Sequence, residues 1–230
     1  MICKVVDFDQ LTVADRWRVE VFTDASGSAF VSGWPMVPLA DIAAESTEAI
    51  LPAEWPTDAV VYVGLENVEP VTGEPVGLEQ RSRADIRSRS RVFGKGQLLY
   101  GRLRPYLRKV FLAAPPFERG ICSTEFIVMS PNTKIVVPEL LRALLASPAA
   151  TAQLARFQIG AALPRISARD FFSISLPIPP LDVQQAWLQT ALRLRLEYRD
   201  AKQVVNRYPN AFDTSVNSLI AGDVGGKAAS

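Results

Sequence analysis

The chain has 230 residues, 48% of them hydrophobic and 21% charged, enough for one full core plus an appendage. Its formal net charge is +1, with two cysteines and no histidine. The missing histidine excludes Ser-His-Asp and Cys-His hydrolases, HExxH metalloproteases and most zinc sites, so binding is expected rather than catalysis. Cys3 and Cys122 lie far apart and suggest neither a disulfide framework nor a metal site. Met1–Gln10 carries Asp7 and Asp9 and lacks the apolar core of a signal peptide, and no apolar run approaches a membrane span. A cytoplasmic protein is expected.

Asp15–Phe22 alternates well enough for a strand, and Asp24–Ser28 reads as a turn. Gly33–Ile42 leads into a helical turn near Leu39–Ala44, and Trp17, Trp34 and Trp55 are expected to fill core. Asp58–Leu65 is short, β-branched and bounded by Pro56 and Gly64, hence a strand. Glu66–Gly77 reads as a polar, hairpin-like excursion. Gln97–Tyr100, Lys109–Ala113 and Glu125–Met129 are further strands, and Pro105 sets a tight turn within Gly101–Arg108.

Helices are expected after residue 137. Pro138 opens one running to about Ala146, and Ser147-Pro148 caps a second through Phe157, ended by Gly160. Phe171–Ile178 reads as a strand closed by Pro177, Pro179 and Pro180. Asp182 and Gln185 form a capping box for a long last helix. Its apolar positions Val183, Trp187, Ala191, Leu194, Tyr198, Ala201 and Val205 recur by fours and threes, a seam of the kind that pairs with another helix. Packing onto its own domain is the alternative. The expected boundaries are a domain over 1–180, a pairing helix over 181–207 and a poorly ordered tail over 208–230.

Charge is sharply polarised. Between positions 81 and 119, eleven basic residues face two acidic ones, a net +9; the first eighty residues hold three basic and fourteen acidic ones, a net −11. Such a segment suits a polyanion, or else a solvated surface paired with the acidic half. If four to six of its cations met phosphates, log affinity would fall with log salt at a slope of roughly −4 to −5.

Two fragments point weakly to chemistry. Ala114-Pro-Pro-Phe117 is like the tetrad with which N6-adenine methyltransferases hold the target amine, but Ala114 cannot accept the required hydrogen bond. Phe93-Gly-Lys-Gly96 follows an arginine run rather than the apolar strand that a cofactor loop needs, and no helix follows it. In Cys122-Ser-Thr-Glu125, a thiol beside a carboxylate has no histidine to activate it, and a turn between strands is expected.

Five blocks together are more specific: Tyr62–Val68, Gly96–Lys109, Gly120–Phe126, Gly160 with Pro164-Arg-Ile166, and Ile174–Leu181 with Gln184-Gln185. In this order and spacing, over roughly residues 15–206, they resemble the target-recognition domain of type I restriction–modification specificity subunits. The resemblance implies a mixed α+β domain that reads double-stranded DNA, with a mixed sheet, flanking helices and a long coiled-coil-like C-terminal helix. It implies no catalysis or cofactor in this chain, with S-adenosylmethionine on a partner methyltransferase and a restriction/translocase subunit as a further partner. A full specificity subunit is about twice as long and carries two recognition domains; this chain corresponds to one half, which suggests a homodimer through the C-terminal helix. The DNA-contacting candidates are Arg81, Arg83, Arg87, Arg89, Arg91, Lys95, Arg102, Arg104, Arg108, Lys109 and Arg165. Because the family repeats the Arg102–Lys109 motif while reading different sequences, base selection is expected in Glu79–Arg91 and Glu66–Gly77 instead. The competing readings are a self-sufficient methyltransferase or hydrolase, and a scaffold that has lost DNA binding.

Overall fold

The structure, a computed structural model, describes residues 32–159 and 163–220. The expected strand Asp15–Phe22, Trp17 and Gly160 lie outside them. The elements are β1 (Met36–Pro38), α1 (Leu39–Ile42), β2 (Ala43–Ser46), β3 (Ala49–Ile50), β4 (Ala59–Val63), β5 (Gln80–Ser82), β6 (Ser90–Phe93), β7 (Leu98–Gly101), β8 (Val110–Leu112), β9 (Gly120–Cys122), β10 (Phe126–Pro131), α2 (Pro138–Leu145), α3 (Pro148–Ala155), α4 (Ala168–Phe172), β11 (Ser175–Pro177) and α5 (Leu181–Ile220). The chain divides into two compact units, residues 1–184 and 185–230.

In the first unit an antiparallel sheet of order β2-β10-β7-β8 forms the middle layer. Leu98, Tyr100, Val110, Leu112, Ile127 and Met129 point to one side, into a core completed by Leu141, Leu145, Leu154 and Phe171 from the helices. Leu99, Phe111, Phe126 and Val128 point to the other side, against Val61, Val63, Phe93 and Cys122 of a five-stranded sheet of order β3-β6-β9-β4-β5. Strands buried on both faces need unbroken apolar runs, which is why Leu-Leu-Tyr, Val-Phe-Leu and Phe-Ile-Val-Met are legible as strands. The second sheet is mixed, because β4 and β9 run parallel with Tyr62 opposite Ile121. Its outer face carries only a small cluster of Trp55, Val60 and Ile121, with Tyr62, Ile86 and Val92 packed against it.

Gly120 is required where these parallel strands meet. A Cβ there would stand 2.3 Å from the Val61 carbonyl oxygen and 3.0 Å from the Phe93 ring. The obstacle is backbone, so β4 and β9 would have to separate. Gly120→Ala is expected to cost about 2–3 kcal/mol, read as a lower urea midpoint with an unchanged denaturant slope.

The structure corrects several expectations. Phe171 and Phe172 lie on α4, not on a strand, because the Ser167 hydroxyl accepts from the Asp170 amide at 3.1 Å and starts a helix; only Ser175–Pro177 is extended. Trp34 is exposed, whereas Trp55 is buried. The last helix begins at Leu181, so Asp182 sits in its first turn rather than at the cap. Gln184 is buried there. Its Oε1 accepts from Val137 N at 2.8 Å, and its Nε2 donates to Ile135 O and Pro179 O, which ties the start of α5 to the start of α2. The helix also continues past 207 to Ile220 with Pro209 inside it, so residues 208–220 are helical rather than tail. Proline there removes one N–H but leaves the flanking turns able to continue.

Candidate nucleic-acid interface

The blocks that carry the resemblance lie far apart in sequence and meet in the fold. Asn67 is buried; its Oδ1 accepts from Gly64 N at 3.0 Å, and its Nδ2 donates to the carbonyls of Val76 and Gly77. Lys109 Nζ donates to Leu65 O at 2.6 Å, joining the first block to the second. Burial holds the Lys109 ammonium below the usual lysine range, with Glu66 acting the other way. Arg102 Nε donates to Ile166 O at 3.1 Å, the Ile166 amide returns a bond to Arg102 O, and the Arg104 amide donates to Pro164 O. Arg165 forms a bidentate pair with Glu125 at 2.9–3.2 Å, which raises the guanidinium's pKa.

The Gly101–Arg108 turn is therefore mainly architectural. Pro105–Leu107 is a 3₁₀ turn flanked by Arg104 and Arg108 in left-handed backbone, φ +50° and +53°. Arg108 Nη1 reaches Ala146 O at 3.4 Å. The Glu66–Gly77 excursion is pinned as well: Val68 bridges Pro75, and the Val71 amide donates to Arg108 O. The Ser123–Phe126 bond closes the expected turn after Cys122, a buried residue whose thiol pKa is pushed up by that burial. A thiol so held is a poor nucleophile.

Several cations not committed to the scaffold lie at the outer face of the five-stranded sheet. Residues 83–89 run from the end of edge strand β5 to the start of β6, across the cluster of Trp55, Val60 and Ile121. This strap is fixed at three points. Arg83 pairs with Asp58 at 3.2 Å and donates to the carbonyls of Ala53 and Trp55. Ile86 plugs into the cluster, and Arg91 reaches Ser46 O and Glu45 at 3.2 and 3.4 Å. Arg87 and Arg89 between these anchors are exposed. Among the described residues, neither side chain has an ion pair or hydrogen bond.

Two more guanidiniums sit over aromatic rings of the same face, Arg81 over Tyr62 at 5.8 Å and Arg119 over Trp55 at 5.3 Å from the ring centroid. A guanidinium held this way keeps N–H groups available for an anion. Lys95 pairs with Glu118 at 2.9 Å on the surface. Arg104 is exposed, with its side chain unbonded among the described residues. Of the eleven candidates, the structure brings Arg81, Arg87 and Arg89 together, leaves Arg104 and Lys95 exposed elsewhere on the surface, and commits Arg83, Arg91, Arg102, Arg108, Lys109 and Arg165 to internal bonds. Arg119, which joins the face, was counted in the basic segment but not among the candidates; its spacing from Trp55 carries no local signal.

In the second unit the seam is open. Trp187, Leu194, Tyr198, Ala201 and Val205 are exposed and Ala191 is half-buried, as is Val183 at the end of the first unit. The three-and-four spacing continues through Tyr208 and Phe212, whose rings stack at 5.9 Å. No helix among the described residues is long and apolar enough to cross a membrane, and no cluster there could hold a metal ion.

No protein-family model matches the chain. It is 26% identical over 195 residues to the type I restriction enzyme EcoDI specificity subunit of Escherichia coli, a match covering 84% of this chain and 42% of that protein. Over 94 residues it is 34% identical to the HindI specificity subunit of Haemophilus influenzae, covering 40% and 20%. Among solved structures, the HsdS subunit from Thermoanaerobacter tengcongensis superposes with a TM-score of 0.63 at 27% identity, covering 84% of this chain and 49% of that one. A chain from a type I R-M system, solved for its complex assembly and conformational transition, also gives 0.63, at 25% identity, covering 86% and 51%. The chain thus spans about half the length of the relatives it matches. Its relatives are type I specificity subunits and its mixed α+β fold is theirs, as the five blocks implied.

Proposed function

We propose that this chain is the DNA-recognition half-subunit of a type I-like restriction–modification or related defence system. It reads one half of a bipartite site and directs a separate N6-adenine methyltransferase to it, with a nuclease/translocase as a further partner. The observation that carries this is the face of Arg81, Arg87, Arg89 and Arg119, four guanidiniums without a carboxylate partner among the described residues, on a scaffold like that of specificity subunits. Recognition resides in the segment up to about residue 180. The chain itself is non-catalytic: Ala114 stands where a methyltransferase needs an acceptor, Cys122 is buried, and histidine is absent. S-adenosylmethionine binds to the partner.

The open seam of α5 supplies the second recognition domain by pairing with another copy. Two identical domains related by a two-fold axis read inverted repeats, so the target is an interrupted palindrome. The test is a mobility-shift assay on mixed-sequence duplex with the full chain, alone and with its methyltransferase, alongside calorimetry of the chain alone with S-adenosylmethionine. Duplex binding without cofactor binding is expected. Stoichiometric cofactor uptake by the chain alone, or no duplex binding even with the partner, would overturn the reading.

A further inference from the structure

Specificity needs side chains that can be exchanged without unfolding the domain, and the basic segment separates its arginines into two kinds. Arg83 and Arg91 point into the fold and hold the strap's ends through carbonyls and the carboxylates of Asp58 and Glu45. Arg87 and Arg89 point outward and, among the described residues, hold nothing in the protein. Between them, Ser88 bonds only locally, its carbonyl accepting from Ser90 Oγ at 3.1 Å. Asp85 is the single carboxylate of the strap and is exposed. The blocks of resemblance stop at Val68 and resume at Gly96, so the strap falls in the gap between them.

The strap's flanks favour base contact over phosphate contact. Arg81 and Arg119, over the Tyr62 and Trp55 rings at 5.8 and 5.3 Å, suit phosphate contacts near the strap. The strap itself is packed down through Ile86 onto the cluster of Trp55, Val60 and Ile121. An unpaired guanidinium has the planar fork that matches the O6 and N7 acceptors of guanine in the major groove.

We infer that the Ile86–Arg89 strap is the base-reading element of this domain, with Arg87 and Arg89 donating to guanine edges in the major groove. This rests on the DNA-recognition reading above. It predicts that the recognised half-site contains guanine at one or both positions under the strap. Replacing the arginine at such a position is expected to lower discrimination against other bases by about ten- to a hundred-fold. Binding to random duplex should change by less than about threefold, because the phosphate contacts remain.

The experiment selects from a duplex pool with a randomised core, using the full chain in complex with its methyltransferase, as wild type, Arg87→Gln/Arg89→Gln and Arg87→Lys/Arg89→Lys. The lysine variant keeps both charges and loses only the fork. The unfolding midpoint of each variant should match wild type, since neither side chain bonds to the protein among the described residues. Wild type that enriches a guanine-containing motif, with both variants losing those guanines while still binding random duplex, supports the inference. Variants that enrich the unchanged motif overturn the strap's role and leave DNA recognition standing. Variants that lose specific and random binding equally also overturn it, as pure phosphate contact. Wild type that enriches nothing, or does not bind, overturns DNA recognition and the strap together.

Discussion

Duplex DNA affinity should fall about forty- to a hundred-and-fifty-fold as salt rises from about 50 mM to about 200 mM. The basis is the number of cations left over once the scaffold is built. Arg81, Arg104 and Arg119 have no carboxylate partner among the described residues, and Lys95 has only the surface carboxylate of Glu118, so three or four phosphate contacts give a slope of about −2.7 to −3.6 at 0.9 per phosphate. The charge count alone allowed a steeper slope, of roughly −4 to −5. Internal hydrogen bonds to Arg102, Arg108 and Lys109 account for the difference. Arg81→Ala should shrink the slope by about 0.9. Arg102→Gln should leave the slope unchanged and instead lower the unfolding midpoint, because its bond to Ile166 O holds two distant segments together. Affinity flat across this range, or a slope that shrinks as much for Arg102→Gln as for Arg81→Ala, would defeat the assignment.

Trp187→Glu with Leu194→Glu should abolish the assembly made through the C-terminal helix while leaving the recognition domain folded. From Val183 to Phe212 the seam is about 45 Å long at 1.5 Å per residue, and Leu194 and Val205 are 55% and 68% exposed, a long apolar stripe left in water. A pairing helix buries such positions against equivalent ones, and two carboxylates placed there would have to be desolvated unpaired. Tyr208 and Phe212 extend the seam two positions beyond Val205, so a chain cut after Arg207 should pair more weakly than the full one. Light scattering of the wild type should give a dimer that the double variant reduces to monomer, with an unchanged urea midpoint for the recognition domain. A wild type that stays monomeric at high concentration, and reads an asymmetric site with its partner, would exclude the two-fold pair in favour of a seam seated on the methyltransferase.

The middle sheet was legible in the sequence because β7, β8 and β10 are covered on both faces, and only apolar runs satisfy that. The outer sheet was not. β5 is an exposed edge strand reading Gln-Arg-Ser, and β6 begins Ser-Arg, so their strand character comes from pairing with Val60 and Ile121 rather than from pattern. Phe171-Phe172 looked extended because two aromatics in a row fit a strand, but the Ser167 cap and the pocket beside Tyr100, with ring centroids 4.3 Å apart, draw Phe171 onto a helix. The capping box of Asp182 and Gln185 was legible because it is a local pattern, whereas the role of Gln184 was not, since it is fixed by Val137 and Ile135, which lie nearly fifty residues back.

What the sequence by itself determined is the polarity of the charge, the order of five blocks, the absence of a histidine base and the heptad seam, all of which are written in residue types and spacings. What only the tertiary structure decided is which arginines are free. A guanidinium's availability depends on whether a carbonyl or carboxylate reaches it, and here those partners come from 64 residues away for Arg102, 38 for Arg108 and 40 for Arg165. Eleven cations of one apparent kind therefore become pins and a binding face only when the chain closes on itself, since each pin exchanges hydration for a partner that local sequence does not contain.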